Sequence, residues 1–311
     1  MRLVEELNLT PVKGDVGIEI EMEGIGITRV DVSLHWNSTV DGSLRGECIE
    51  WVTRGPISAA HINKVLDYLS YKIKKNNSTL SPSGRCGTHI HINCQELTRV
   101  QVVNFISIYL IIEDILIKSF GSAREGNMFC LRCKDADYFV SNLIYAIKKG
   151  SFTHLPNNIR YSSINPAALV KYGSLEFRAM PTPTDFSLIS NWAHMFLRMR
   201  EAAKVFTNTR DIVEGISNQG QIPFLQNIFG EYLQLIECAN MEDMVVDGCR
   251  RVQTIAYQKW PEKRETPKKN KNTELEQILR RPPELQRAQQ AFTFNTTDNG
   301  TINTINWDTR S

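Results

Sequence analysis

Hydrophobic and polar residues alternate along several short segments in the first half of the chain. Between residues 15 and 23, the apolar residues at positions 16, 18, 20 and 22 fall on one side of a predicted strand. Similar patterns predict strands over residues 47–54, 88–94, 161–165 and 174–179. Alternation of this kind is typical of an antiparallel sheet with one covered face.

Helical periodicity occupies the segments between these strands and most of the second half of the chain. Apolar residues recur every three or four positions in each of these segments. Thr98 is placed to cap one helix and Gly121 to end it. The predicted helices span residues 59–74, 98–120, 136–148, 186–206, 212–217, 222–239 and 241–257. The pattern therefore predicts an α+β fold rather than a doubly wound parallel sheet.

The composition changes after Trp260. Residues 262–272 are charged and almost free of apolar residues, and residues 295–311 are rich in Thr and Asn. A segment this polar cannot bury a core of its own. We therefore expect a main domain over residues 1–205, a helical extension that packs on it over 206–260, and a weakly ordered tail over 261–311.

Charge and hydropathy bear on location and partners. The 36 Lys and Arg residues nearly balance the 34 Asp and Glu residues, which gives no argument for a nucleic acid or membrane partner. The N-terminus lacks the apolar segment of a signal peptide. The most apolar run, residues 102–117, contains Glu113 and Asp114 and predicts a buried helix rather than a membrane span. We expect a cytoplasmic protein with reduced cysteines. No pattern indicates its oligomeric state.

Polar residues with metal-ligand chemistry lie on the other side of the predicted strands. Glu19, Glu21 and Glu23 share one face of the first strand because they are two residues apart. This face is either a solvated strand surface or a cation site. Three like charges in a row repel one another, and a hard cation such as Mg²⁺ would relieve that repulsion.

Three further strands repeat this division between apolar and polar faces. His89, His91 and Asn93 share one face of their strand. Glu50 lies on the polar side of the second strand, and Glu176 and Arg178 lie on that of the last. If these faces coincide, the sheet carries carboxylates, imidazoles and a guanidinium together. That set suits Mg²⁺ and nucleotide phosphates without a P-loop, and the chain has no P-loop motif.

Six short motifs in this order resemble those of the amidoligase family, enzymes related to γ-glutamylcysteine ligase and glutamine synthetase. The resemblance covers about residues 15–200, including a helix with Trp192. The motifs are GIEIEMEG (17–24), DGSLRG (41–46), ECIEWVTRGP (47–56), CGTHIHIN (86–93), RYSSIN (160–165) and GSLEFR (173–178). The resemblance implies a glutamine-synthetase-like curved antiparallel sheet with helices on one face, followed by a helical C-terminal half. Residues 1–205 would then be the catalytic domain.

The resemblance also implies roles for individual residues. The expected metal ligands are Glu19, Glu21, Glu50, His89 and Glu176. The residues expected to bind the nucleotide are His89, His91, Asn93, Arg160, Asn165 and Arg178. Catalysis is expected to depend on Glu21, Glu50 and Arg178. The family implies no role for Glu23 or Glu47.

The implied reaction joins a carboxylate to an amine with ATP and Mg²⁺, through an acyl phosphate. The substrates can belong to small molecules, a peptide, a protein or a modified nucleobase, since similar ligases occur in phages and in peptide-modifying gene clusters. A phage-encoded ligase would act in the host cytoplasm.

Two other functions compete with the ligase. His89, His91 and Glu96 resemble the metal motif of a cupin-type oxygenase or hydrolase, whose histidines favour iron, manganese or zinc. The second competing function is that of a non-catalytic scaffold, which keeps a decayed ligase fold. Thermal stabilisation by nucleotide would favour the ligase. A tightly bound transition metal would favour the oxygenase or hydrolase, and the absence of both would favour the scaffold.

Overall fold

The computed structural model describes residues 1–127, 130–136, 138–236 and 238–261. Apart from Pro261, the predicted tail lies outside the described residues. Within them the chain forms one sheet and a set of helices. The strands are β1 (Val16–Ile25), β2 (Trp36–Thr39), β3 (Cys48–Thr53), β4 (Thr79–Leu80), β5 (Gly87–Asn93), β6 (Ile164–Asn165) and β7 (Ser174–Pro181).

The helices cover one face of this sheet and build the second half of the chain. They are α1 (Leu3–Glu6), α2 (Ile62–Lys75), α3 (Arg99–Ser119), α4 (Phe139–Lys149), α5 (Ala168–Tyr172), α6 (Ser187–Val205), α7 (Thr209–Gln219), α8 (Gln221–Phe229) and α9 (Met241–Ala256). The sheet runs in the order β2-β3-β1-β5-β7-β6, with β4 also paired to β1. Each of these pairs is antiparallel, which confirms the predicted α+β class.

The apolar face of the sheet carries the core. Ile18, Ile20 and Met22 of β1 are fully buried, as the alternation predicts. Helices α3 and α6 pack against the sheet and against each other. Phe177 of β7 stacks on Phe196 of α6, with ring centroids 4.0 Å apart. The helices therefore leave the other face of the sheet free to carry polar side chains.

Helix α3 is the central helix of the core. Within the described residues it is the one helix long and apolar enough to cross a membrane, and 83% of its most apolar window is buried inside the protein. Such burial is typical of the core helix of a soluble protein and agrees with the predicted buried helix. Gly248 of α9 lets that helix approach α3 closely, because a Cβ there would lie 2.1 Å from the carbonyl oxygen of Ile111.

Several elements differ from their predictions. The helix predicted over 222–239 ends at Phe229, because Gly230 adopts a φ of 56° that breaks the helix before a 3₁₀ segment. The strand predicted over 161–165 is limited to β6, since Asn157–Tyr161 forms a 3₁₀ turn. Strand β2 was not predicted, because its four residues contain one buried side chain, Trp36.

Candidate functional site

The register of the sheet places the predicted ligand residues on one face. Glu21 of β1 lies opposite Glu50 of β3, and Glu19 lies opposite His89 of β5. Residues that face each other across antiparallel strands project from the same side of the sheet. His89 also lies at an irregularity in the pairing of β5 with β7, and such bulges often re-aim a side chain beside a functional site.

The same face continues across β5, β7 and β6. His91 lies opposite Glu176, and Glu176 lies opposite Asn165. The polar faces of the predicted strands therefore coincide. We call the carboxylates gathered here the acidic floor; they are Glu19, Glu21, Asp41, Glu50 and Glu176.

One half of the acidic floor is a cluster of Glu19, His89 and Glu176. One potential ligand atom from each lies within 4.8 Å of the others. Nδ1 of His89 is 3.1 Å from Oε2 of Glu19 and 3.6 Å from Oε1 of Glu176. His89 and Glu176 are buried, so this cluster is largely shielded from solvent.

The other half is a purely carboxylate cluster of Glu21, Asp41 and Glu50, with ligand atoms again within 4.8 Å. The backbone N–H of Gly87 donates to Oε2 of Glu21 at 2.8 Å, and the Thr39 hydroxyl donates to Oε2 of Glu50 at 2.8 Å. These bonds fix each carboxylate through one oxygen.

His89 lies between the two clusters. Its Nε2 is 3.9 Å from Oε1 of Glu21, while its Nδ1 faces the first cluster. One imidazole thus contacts carboxylates from both halves of the acidic floor.

The carboxylates of the two halves differ in the direction of their pKa shifts. Burial raises the pKa of Glu21, and the nearby imidazole of His89 offsets only part of that rise. Burial also raises the pKa of Glu50, against the hydrogen bond from Thr39. Burial alone would raise the pKa of Glu19 too, but hydrogen bonds from the two histidines lower it below its ordinary value. Among the described residues, no Lys or Arg forms an ion pair with the carboxylate cluster, and His89 is its nearest basic group.

Arg178 and Asn165 hold Glu176 from both sides. Nη1 of Arg178 donates to Oε1 of Glu176, and Nδ2 of Asn165 donates to Oε2 at 2.6 Å. Burial would raise the pKa of Glu176, but Arg178 and the histidines lower it. Within the described part of the chain, the buried Nε of Arg178 has no hydrogen-bond partner. An unpaired buried donor of this kind needs an acceptor, such as a water, an ion or an oxygen of a bound ligand.

His91 and Asn93 are tied to the protein more than to the clusters. His91 contacts Oγ of Ser174 at 3.1 Å through Nδ1 and Oε1 of Glu19 at 3.2 Å through Nε2. Asn93 donates to the carbonyl of Gly14 and accepts from the N–H of Gln95. His91 thus orients Glu19, while Asn93 stabilises the turn after β5.

The structure does not bring Arg160 to the acidic floor. Arg160 is exposed, and its guanidinium lies 4.8 Å from the ring centroid of Tyr161, whose hydroxyl it contacts at 2.7 Å. The family resemblance placed Arg160 at the site, but Arg160 lies in the 3₁₀ turn before β6 and points away from the floor residues.

The remaining acids that the sequence left open have local partners. Glu23 accepts a hydrogen bond from the N–H of Arg45, in the loop that carries Asp41. Glu47 accepts from the N–H groups of Gly26 and Thr28. Glu96 of the cupin-like motif pairs with Arg2 at 2.7 Å, and both side chains are more than half exposed.

Two residues of the site were not predicted. Asp41 opens the motif DGSLRG, but a loop residue gives no strand register from which to infer its direction. Arg124 lies in the turn after α3, and no motif or periodicity marks it. Its guanidinium lines the same cleft as Glu21, Asp41 and Arg178.

Two clefts open beside the acidic floor. A small cleft of about 130 Å³ is bordered by the carboxylates of Glu21 and Asp41 and by three arginines. A larger cleft of about 320 Å³ is bordered by Glu19 and His91 and has Val12, Pro56 and Tyr172 among its apolar and aromatic walls. The first cluster separates them, since Glu19 lines the larger cleft and His89 the smaller.

Comparison with known proteins supports the resemblance found in the motifs. The family model described as "Putative amidoligase enzyme" matches residues 56–199. The matched segment contains His89, Glu176 and Arg178, and it lies after β1 and β3. The predicted resemblance to amidoligases is thereby confirmed over this segment. A search of curated proteins finds no match to the chain.

Proposed function

We propose that the protein is an ATP-dependent ligase that joins a carboxylate to an amine through an acyl phosphate. The observation that carries this proposal is the acidic floor: two ligand clusters that meet at His89, beside the unpaired Nε of Arg178. Neighbouring carboxylates with a guanidinium are the groups that hold divalent cations and phosphate oxygens. The amidoligase match over residues 56–199 supports the same activity.

The donor set fits magnesium. Glu21, Asp41 and Glu50 offer only carboxylate oxygens, and Glu19 and Glu176 add oxygens beside one imidazole. Hard cations such as Mg²⁺ prefer oxygen ligands, whereas iron and zinc sites contain more histidine. Bound Mg²⁺ would neutralise the phosphates and stabilise charge in the transition state. The carboxylates of the two clusters would hold one ion each.

Arg178 is the residue that we assign to the transferring phosphoryl group. One edge of its guanidinium is held by Glu176, which fixes the direction of the other N–H groups. The buried Nε–H needs an acceptor, and a phosphoryl oxygen supplies one. A preorganised donor of this kind stabilises the charge that spreads over the phosphoryl oxygens in the transition state.

The proposed reaction has two steps. An oxygen of the substrate carboxylate attacks the γ-phosphorus of ATP, the bond to the β–γ bridging oxygen breaks, and ADP leaves. The amine nitrogen then attacks the carbonyl carbon of the acyl phosphate, and the carbon–oxygen bond to phosphate breaks. Glu21 lines the small cleft and is our candidate to accept the proton that the amine loses. The products are an amide, ADP and phosphate.

Two further features belong to this proposal. The antiparallel sheet, covered by helices on one face and lined with carboxylates on the other, supports a glutamine-synthetase-like fold. The roles of His91 and Asn165 are then to orient Glu19 and Glu176 rather than to contact the nucleotide, because both side chains already bond those carboxylates.

The test is ADP release in the presence of Mg²⁺ and a panel of carboxylates and amines. We expect release that needs both a carboxylate and an amine. Glu21→Gln and Arg178→Ala should lower it strongly, while the surface variant Arg210→Ala should not. If the protein binds no nucleotide by calorimetry at any Mg²⁺ concentration, the ligase proposal is wrong.

A further inference from the structure

Arg124 is a buried cation with no carboxylate partner in the part of the chain that the structure describes. It ends the 3₁₀ turn Ser122–Arg124, and only 4% of its surface is exposed. Its Nε donates to the carbonyl of Ala179 at 2.8 Å, and its Nη2 donates to the carbonyl of Arg178 at 3.0 Å. Among the described residues, no carboxylate oxygen lies within 4.0 Å of its nitrogens.

The surroundings of Arg124 do not neutralise its charge. A buried guanidinium is costly unless an anion accompanies it, and carbonyl groups carry no net charge. The nearby thiol of Cys130 is no substitute, because burial raises its pKa and keeps it protonated. Arg124 can therefore pair with an anion from solution.

The guanidinium of Arg124 reaches the floor of the small cleft. A Cβ placed on Gly87 would lie 3.1 Å from Oε2 of Glu21, 3.4 Å from Nε2 of His89 and 3.6 Å from Nη2 of Arg124. These three groups therefore lie beside Gly87, where a side chain would crowd them. An anion in the cleft would thus lie close to both Glu21 and the cation of Arg124.

Charges of both signs line the cleft. Glu21 and Asp41 contribute carboxylates, and Arg85, Arg124 and Arg178 contribute guanidinium groups. A divalent cation on the carboxylates would leave the arginines as the dominant charge. The cleft then attracts an anion that bridges the metal and the guanidinium groups.

The sizes of the two clefts and the geometry of phosphoryl transfer indicate which anion binds beside Arg124. The larger cleft, with about 320 Å³ and an aromatic wall, suits a nucleoside, whereas about 130 Å³ suits only a compact head group. In phosphoryl transfer the attacking and leaving oxygens lie roughly in line on opposite sides of the phosphorus. With the nucleotide on the side of Glu19, the attacking carboxylate enters from the side of Arg124.

We propose that Arg124 binds the substrate carboxylate that is activated in the small cleft, and that the substrate presents this group on a narrow aliphatic stem. This inference rests on the proposed ligase function. It makes Arg124 a substrate-binding residue, with Gly87 as the residue that leaves room for the head group. A carboxylate on an aromatic ring would not fit.

The experiment is calorimetric titration of the full chain with short carboxylates, in saturating Mg²⁺ and ADP. The probes are acetate, propionate, succinate, glutarate, aspartate and glutamate. We expect at least one to bind the wild-type protein saturably. Arg124→Met should weaken that binding by about tenfold or more, with Mg·ADP affinity within about twofold of wild type.

Matched variants separate binding from structure. Arg124→Lys keeps the charge and should lose less affinity than Arg124→Met. Gly87→Ala keeps every charge but narrows the cleft, and it should weaken carboxylate binding as well. Arg210→Met removes an exposed arginine of α7 and should change neither affinity. Thermal melts establish that each variant is folded.

Several outcomes would overturn the inference. A loss of Mg·ADP affinity with unchanged carboxylate affinity would assign Arg124 to the nucleotide phosphates. If neither affinity changes, Arg124 has only a structural role, which is to hold the end of β7 through its hydrogen bonds. If no carboxylate binds while Mg·ADP does, this inference fails and the nucleotide site stands. If Mg·ADP does not bind either, the proposed function fails as well.

Discussion

The acidic floor of the sheet and a cluster between helices α3 and α9 both contain buried charge. In the helical charge cluster, Glu113 and Asp114 of α3 face Arg251 of α9 at 3.1 and 2.8 Å. Asp114 also pairs with Lys134 at 2.7 Å and lies 3.8 Å from Arg132. Two carboxylates are thus accompanied by three cations of the same chain.

The acidic floor has the opposite balance. Among the described residues, Arg178 is the one arginine within ion-pair distance of its five carboxylates. The imidazoles of His89 and His91 also lie within that distance. Buried charges that stabilise a fold need a partner, since an unpaired one costs several kcal/mol. The helical cluster is therefore complete for a structural role, whereas the acidic floor needs cations from solution. We interpret the floor as functional for this reason.

The largest expected effect is on activity at the floor. Arg178→Ala should lower carboxylate-dependent ADP release by about 10²- to 10³-fold, because a preorganised donor to the phosphoryl group is lost. The measurement is kcat at saturating Mg·ATP. A change of less than about tenfold would place Arg178 with the structural arginines and break the comparison.

The next effect is on stability at the helical cluster. Arg251→Met should lower the free energy of unfolding by about 2–3 kcal/mol, since Glu113 is fully buried and loses its cation. Urea unfolding at pH 7 measures it. The neighbouring Arg250→Met is the matched control, because Arg250 is 73% exposed and should change stability by less than about 0.5 kcal/mol. Equal effects of the two variants would contradict a structural role for the cluster.

The third expected effect is an increase in stability, caused by a substitution in the acidic floor. Without divalent ions, Glu50→Gln should stabilise the protein by about 0.5–1 kcal/mol, because it removes one of several crowded carboxylates and keeps an oxygen for the Thr39 hydroxyl. In excess Mg²⁺ the wild-type protein should instead be more stable than Glu50→Gln, since ion binding stabilises the wild-type protein by mass action. Thermal melts with EDTA and with Mg²⁺ measure both. Glu242→Gln, at an exposed position of α9, is the control. A destabilised metal-free Glu50→Gln would contradict the charge imbalance.

The smallest effect is a pH dependence in the helical cluster. Burial would raise the pKa of Asp114, but hydrogen bonds from Lys134 and Arg251 lower it below 3.8. A carboxylate with a lowered folded pKa contributes stability above its unfolded pKa, and that contribution is lost as the pH falls through its folded pKa. Asp114→Asn should therefore cost about 1 kcal/mol at pH 7 and progressively less below pH 4. A cost that is constant from pH 7 to pH 3 would show that the charge of Asp114 is not involved.

The strand faces could be predicted because period-two alternation fixes which side chains point together. Glu19 and Glu21, or His89 and His91, are on one face whatever the pairing partner. The pairing itself is a long-range property, and only the structure shows Glu21 opposite Glu50. The family motifs supplied the expectation that these faces meet.

The unpredicted parts of the site lie on turns. Asp41 reaches the floor from the segment between β2 and β3, and Arg124 reaches it from the turn after α3. Turn residues have no periodicity, so their direction depends on tertiary packing. The same reason explains Arg160, which was expected at the site and is exposed on a 3₁₀ turn.

The most direct test of the account is the number of divalent ions that the acidic floor binds. Free Mn²⁺, measured by electron paramagnetic resonance during titration in the presence of ADP, reports that number. We expect two ions per chain, one for each cluster, with one lost in Glu21→Gln and the other weakened in Glu19→Gln. No saturable binding, or two ions bound equally well by both variants, would contradict the central claim that the floor is a metal site.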